Sequence, residues 1–350
     1  MRRIVVNGKL LIAFKYFVKV KLAGSISIAL LSIFTIIYNS SGVHIYNTTK
    51  ATDYKWESNQ LKTTMTEGFA WFFMDADGFN NAYAKSETIG ENPDILLMGS
   101  SHMEACNIAP NENVGYKLNE LLQDTYTYNI GTSGHTIYHC VSNLENAIDT
   151  YNPTQYVILE TSNITLDSNT VHSVIDGSFK HIVSYDSGLL YWVQKNIPAV
   201  KILYKQLVEW KDAVASNDTL EIADEPCKNT NYDDDIYRKT VDEFLSYAVK
   251  PIHAAGSTLI IFYHPPVKLD SSGELIETTD AQALNVFKSV CEENDIMFVD
   301  MTEIFINMYE DKHILPYGFQ NTAVGVGHLN QYGHEAIAEK LAEVIGKDRE

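Results

Sequence analysis

The sequence predicts an α/β protein in three layers, a parallel sheet with helices on both faces, preceded by one apolar N-terminal helix. Three observations carry this expectation. Apolar runs of strand length recur along the chain, as buried parallel strands require. They alternate with stretches of helical spacing, the pattern of βαβ units. The charge is also asymmetric. Residues 1–38 hold Arg2, Arg3, Lys9, Lys15, Lys19 and Lys21 and no acid, whereas the remaining 312 residues hold 20 basic and 45 acidic side chains.

The elements follow in order. Residues 1–21 form a basic leader, and Leu22–Tyr38 carries no charge. That run meets the lower end of the roughly 17–25 residues a spanning helix needs. The basic leader then places the N-terminus in the cytoplasm and the body outside the cell membrane. A cleaved signal peptide is the rival reading. The long leader and the absence of a small-x-small site after Tyr38 favour an uncleaved anchor. Residues 39–92 are polar and aromatic-rich, a stalk with a docking segment, and the main domain is expected over 93–350. DILLMG (94–99) is its first strand and 113–123 a helix. TYTYNIG (125–131) is the second strand and 139–151 a helix. QYVILET (155–161) is the third strand. An insertion over 166–236 is too long for an ordinary loop. Within it, 189–214 has a helical apolar stripe that packs on the core or, as the alternative, serves as a lid. After the insertion come a helix at 237–255, the strand TLIIFYH, a helix at 281–294, the strand IMFVDM and a closing helix from about 332 to 345.

Composition excludes several classes. With 45% apolar and 20% charged residues the chain is not disordered, and a net charge of −19 repels nucleic acid. Cys106, Cys140, Cys227 and Cys291 lack the spacing of a zinc ribbon, and which of them pair is left open. Four Asn-x-Ser/Thr sites begin at Asn39, Asn47, Asn163 and Asn217. No GxGxxG, P-loop or HExxH pattern occurs, so neither a cofactor nor a metal is expected.

Four clusters at expected strand ends can carry chemistry. Gly99-Ser100-Ser101-His102 presents a serine at a strand-to-helix turn. NIGTSGHT (129–136) has Gly131 and Gly134, which let backbone N–H groups approach a reacting oxygen. Asn163 follows the third strand with an amide donor. GVGHLNQYGH (325–334) offers His328 as a general base. Taken singly, GSSH reads equally as a helix cap and His328 or His334 as a buried histidine.

In this order and on this strand pattern, the clusters resemble the SGNH (GDSL-type) hydrolase superfamily over about 94–346, outside the insertion. The resemblance implies a flavodoxin-like SGNH-hydrolase fold. It also implies catalytic Ser101 and His328, an oxyanion hole of Ser101, Gly134 and Asn163, and candidate pocket residues Ser100, His102 and His264. Two departures stand out. Gly325 occupies the position three before His328 where the family carries its orienting Asp, and Ser162 and Ile164 flank Asn163. Asp300 and Glu335 are the substitutes in view, with Asp300 read first as a structural cap. His264 and His102 are each read either as pocket residues or as residues that shape their local backbone. A working Ser–His dyad requires an acceptor for the second ring nitrogen of His328.

The layout further resembles the membrane-anchored, outward-facing branch that includes the teichoic-acid D-alanylation protein and polysaccharide O-acetylation proteins. That implies a serine-dependent O-acyltransferase or acyl esterase working on an envelope polysaccharide through an acyl-Ser101 intermediate, with a multi-pass membrane O-acyltransferase as a partner. The alternative is a catalytically silent scaffold that binds a glycan or that partner, for which the missing Asp at 325 is the argument.

Overall fold

The computed structural model describes residues 8–38, 45–46, 54–56, 58–59, 61–64, 67–81, 92–180, 234–269, 272–277, 279–322 and 325–349. The chain divides into two units, 1–41 with 185–221, and 42–184 with 222–350.

The described part of the first unit is a helix, α1 (Gly8–Tyr38), of 31 residues, about 46 Å long at 1.5 Å per residue. Its apolar side chains, among them Phe14, Phe17, Leu22, Ile28 and Leu30, are exposed. Among the described residues, no helix is long and apolar enough to cross a membrane. The transmembrane anchor expected over Leu22–Tyr38 is therefore unsupported, although that run is helical. The described side chains of α1, residues 14–31, include Lys15, Lys19 and Lys21, and each charge weakens a spanning segment.

The second unit opens with two short antiparallel pairs. β1 (Ile45–Tyr46) pairs with β2 (Tyr54–Lys55), and β3 (Leu61–Thr64) forms a hairpin with β4 (Ala70–Phe73). Strand alternation sorts the residues of β4: Ala70 and Phe72 are buried with Trp56, Met74 and Cys106, while Trp71 and Phe73 face solvent.

The main sheet has five parallel strands: β5 (Ile95–Met98), β6 (Thr127–Asn129), β7 (Tyr156–Thr161), β8 (Thr258–Tyr263) and β11 (Met297–Asp300). Their spatial order is β6-β5-β7-β8-β11, the flavodoxin-like 2-1-3-4-5 arrangement. The winding reverses at β5, which opens a crevice beyond the carboxyl ends of β5 and β7. Parallel strands buried on both faces need apolar residues at every position, and Ile95, Leu96 and Leu97 are wholly buried. Leu96 and Met98 face the helices α4 (Ile137–Ser142), α5 (Leu144–Tyr151), α7 (Asp234–Ala254) and α8 (Ala281–Glu293). Ile95 and Leu97 face α3 (Val114–Leu121), α9 (Thr302–Lys312) and α10 (Gln331–Asp348).

The differences from expectation are local. The helix expected at 139–151 is two, α4 and α5, hinged at Asn143, whose backbone (φ −101°, ψ 2°) caps both. The hairpin β9 (Val267–Leu269) with β10 (Leu275–Glu277) and the helix α9 carry periodicity too short or too weak to read. The start of the insertion is ordered as core: Leu166 is buried, and α6 (Ser168–Ile175), N-capped by Asp167, buries Val171 and Val174. The amphipathic stretch 189–214 and the acidic run up to residue 233 lie outside the described residues. Cys106, Cys140 and Cys291 are buried free thiols, and Cys227 lies outside the described residues.

Candidate active site

The site gathers where β6, β5 and β7 end. β5 runs into the four-residue helix α2 (Ser101–Glu104), whose N-cap is Ser100, with its Oγ accepting the His102 N–H at 3.2 Å. No Cβ fits at Gly99, since Glu160 and Met103 fill that space. The chain therefore turns directly from strand to helix and holds Ser101 at the crevice.

Ser101 Oγ lies 2.9 Å from Nε2 of His328. The other ring nitrogen, Nδ1, lies 2.7 Å from Oε2 of Glu67, and the backbone N–H of His328 donates to Oε1 of the same carboxylate at 2.6 Å. An ionised carboxylate only accepts, so the ring proton sits on Nδ1. Nε2 is left with a lone pair for the serine hydroxyl. Ser101, His328 and Glu67 thus form one continuous Ser–His–Glu chain.

Glu67 is the residue sequence reasoning missed. It sits at the tip of the β3–β4 hairpin, 261 positions from His328. The tip is clamped: Asn107 Nδ2 donates to the Glu67 carbonyl (2.9 Å), and the Gly68 N–H donates to Asn321 Oδ1 (2.9 Å). Gly68 (φ +70°) has no room for a side chain, because a Cβ would lie 2.2 Å from the Asn107 carbonyl. Gly327 is constrained in the same way (φ +108°): its Cβ would lie 2.2 Å from Glu67 Oε1. The glycine before His328 makes room for a carboxylate arriving from elsewhere in the chain. That pattern, Gly-x-Gly-His without Asp, was the one local signal available.

The two substitutes considered for the acid are elsewhere. Asp300 Oδ1 accepts the N–H (2.9 Å) and hydroxyl (2.6 Å) of Thr302 and caps the turn into α9. Glu335 is exposed on α10.

The expected oxyanion residues lie at neighbouring strand ends. Gly134 is exposed with φ +82° in the turn after β6. Its neighbour Ser133 donates its hydroxyl to Oε2 of Glu104 on α2, and Glu104 Oε1 accepts from Trp56 Nε1 at 2.7 Å. The Ser133–Gly134 turn, α2 and the Trp56 segment are therefore tied through one buried carboxylate. Asn163 follows β7 and is exposed. Its Oδ1 accepts the Thr165 N–H (2.8 Å), which leaves the amide NH2 as the donating end.

His264 corrects an expectation. It does not line a pocket, because it is wholly buried beneath the site with both ring nitrogens engaged. Nε2 meets Glu160 Oε1 at 2.5 Å, and Nδ1 meets the Tyr317 hydroxyl at 2.6 Å. Glu160 Oε2 accepts the Ser100 N–H at 2.5 Å, so this pair braces the turn that carries Ser101. Burial raises the Glu160 carboxyl, but the hydrogen bond and charge of His264 outweigh it and hold the group at about 2. Burial, reinforced by His264, pushes His102 well below the usual histidine range. His334 is buried in the first turn of α10 and is pushed down to about 3 by burial and by His264.

A cleft of about 750 Å³ adjoins the hairpin tip. It is lined by Gly68, Phe69, Tyr317, Phe319, Asn321 and Tyr332 among others, and includes neither Ser101 nor His328. Among the described residues, no group of histidine, cysteine or carboxylate side chains could hold a metal ion.

No protein-family profile and no curated protein matches the chain. Solved structures similar to it include a protein from Slackia heliotrinireducens described as a candidate SGNH hydrolase (14% identity, TM-score 0.39, 72% of this chain and 97% of that one). The acetyl xylan esterase AlAXEase is another (14%, 0.39, 72% and 98%). A third is a member of the lipolytic G-D-S-L family from Veillonella parvula (15%, 0.38, 72% and 97%). At such identities and TM-scores these likenesses carry no argument about chemistry. The geometry around Ser101 carries it instead.

Proposed function

We propose that this chain is a serine-dependent acyl esterase or O-acyltransferase of SGNH type. The observation that carries the reading is the unbroken Ser101–His328–Glu67 chain, with Nε2 of His328 free to take a proton. His328 removes the hydroxyl proton as Ser101 Oγ bonds to an acyl carbonyl carbon. Glu67 keeps the ring in the productive tautomer and faces the imidazolium that forms. The oxyanion is held by the N–H groups of Ser101 and Gly134 and the amide of Asn163, each worth about 3–4 kcal/mol of barrier. Collapse returns the proton from His328 to the leaving alkoxide and leaves acyl-Ser101. Water then completes an esterase cycle, and a sugar hydroxyl completes a transfer.

The finer reading is action on a cell-envelope glycan at the outer face of a membrane, beside a multi-pass acyltransferase. Its support is the layout of the sequence: a basic leader, the uncharged run Leu22–Tyr38 and an acidic body. Alkaline extraction of membranes from cells expressing the full chain tests the anchor, and release of the chain into the supernatant overturns it. The silent-scaffold alternative rested on the missing Asp at 325, and Glu67 offsets that argument.

The test of the activity is intact-mass labelling of the full chain with a fluorophosphonate, beside Ser101→Ala and His328→Ala. One adduct, lost in both variants, is expected. A folded wild-type protein without an adduct overturns the serine mechanism.

A further inference from the structure

The residue after the nucleophile has a role that the serine mechanism does not use. His102 lies on α2 immediately after Ser101, and its Nδ1 accepts the backbone N–H of Leu329 at 3.1 Å. Leu329 follows the base, His328. The two reacting groups come from segments 227 positions apart, yet each is joined by one peptide unit to the two ends of this hydrogen bond. The imidazole of His102 is packed on three sides, with ring centroids 4.7 Å from His264, 5.2 Å from His328 and 5.9 Å from Tyr317. The ring has one orientation, and in it Nδ1 points at the His328 segment.

We propose that His102 is a positioning residue: by accepting the Leu329 N–H it sets the separation between Ser101 Oγ and His328 Nε2. This rests on the Ser–His–Glu reading above and deepens it. The 2.9 Å contact between base and nucleophile has no other direct tie between α2 and the His328 segment among the described hydrogen bonds. Glu67 holds His328 from the opposite side, through the ring and the backbone N–H. The base is thus gripped at its own backbone by the acid and at the next residue by the nucleophile's helix. The acceptor lone pair of His102 is also durable, because its surroundings disfavour the protonated ring that would lose it.

The chemistry of the bond selects the variants. Asparagine places an oxygen near the position of Nδ1 and preserves the acceptor. Glutamine places its oxygen near Nε2 and does not. Leucine removes the acceptor altogether. In the full chain, His102→Leu and His102→Gln are expected to slow fluorophosphonate labelling about 10²-fold, the scale of a displacement near 1 Å in an aligned site. His102→Asn is expected to stay within a few-fold of wild type. If the leucine variant fails to fold, glutamine against asparagine gives the same contrast between two polar side chains. Wild-type rates in both His102→Leu and His102→Gln overturn the proposal, and so does a His102→Asn variant as slow as they are.

A second readout does not depend on activity. The His328 Nδ1–H donated to Glu67 gives a downfield proton resonance, assigned by its loss in His328→Asn. That resonance is expected to broaden or vanish in His102→Leu and to return in His102→Asn. If wild type takes up no label, the serine reading fails, and the resonance alone decides this proposal. An unchanged signal in His102→Leu then overturns it.

Discussion

Two histidine–glutamate pairs flank His102, and their surroundings give them different work. His328 and Glu67 keep 31% and 23% of their side-chain surface exposed, and Nε2 of His328 faces a serine hydroxyl. His264 and Glu160 keep 0% and 1%, and both nitrogens of that ring are occupied. The first pair can pass a proton to and from the crevice. The second cannot, and instead fixes the Ser100 N–H from below. The same two side-chain types thus serve as machinery or as framework according to access and to whether one ring nitrogen is left for a reacting group.

The sharpest way to break this comparison is to neutralise each glutamate. Glu67→Gln keeps the shape but lets the ring adopt the wrong tautomer. Turnover of an activated ester is expected to fall roughly 10³- to 10⁴-fold, with the thermal midpoint nearly unchanged. Glu160→Gln leaves a buried pair half-broken, which costs about 3–5 kcal/mol of stability. Urea unfolding should reveal that loss. Equal effects of the two changes on rate and on stability would abolish the distinction.

Gly327→Ala tests whether the exposed pair needs its opening. The added methyl must displace the Glu67 carboxylate, and a positive φ is strained for alanine as well. The expected result is a loss of turnover approaching that of Glu67→Gln, read together with the thermal midpoint.

Acid sharpens the contrast from the buried side. His334 is held at about 3 and His102 well below its ordinary 6.5, so the unfolded chain binds protons that the folded one refuses as pH falls below about 6.5. Glu160 is held at about 2, so its contribution is present above its ordinary 4.5 and is lost as pH falls from there towards 2. All three act in one direction: stability declines on acidification, first through the histidines and then through Glu160. The urea midpoint should fall continuously from about pH 6.5 down to about 3, and more steeply below about 4.5 where Glu160 adds to the histidines. The smallest expected effect is His334→Leu. Among the described residues Nδ1 of His334 is buried without a hydrogen-bond partner, so an apolar side chain should flatten that decline between about pH 6.5 and 3 and cost little at neutral pH. An unaltered pH profile would remove His334 from the account.

The sheet was legible because buried parallel strands are short apolar runs, and DILLMG, QYVILET and TLIIFYH are unmistakable on that ground. The meeting of Ser101 and His328 was legible because each follows a strand or precedes a helix within a short cluster. Glu67 was not, because its role is set by tertiary closure: a hairpin tip in a polar, aromatic segment carries no periodicity that points across the chain. The work of Glu160 and His264 was hidden for a related reason. Glu160 is the penultimate residue of β7 and His264 directly follows β8, and only the register of the two strands brings their side chains together.

The hairpin origin of the acid has a consequence for how the molecule comes into being. Glu67 and Ser101 emerge before His328, which follows Ser101 by 227 residues. At about 5–20 residues per second the base arrives roughly 11–45 s after the nucleophile. Until then the nascent chain carries an acid and an alcohol with nothing to join them. On the proposed mechanism, a chain stalled before His328 holds no base for Ser101.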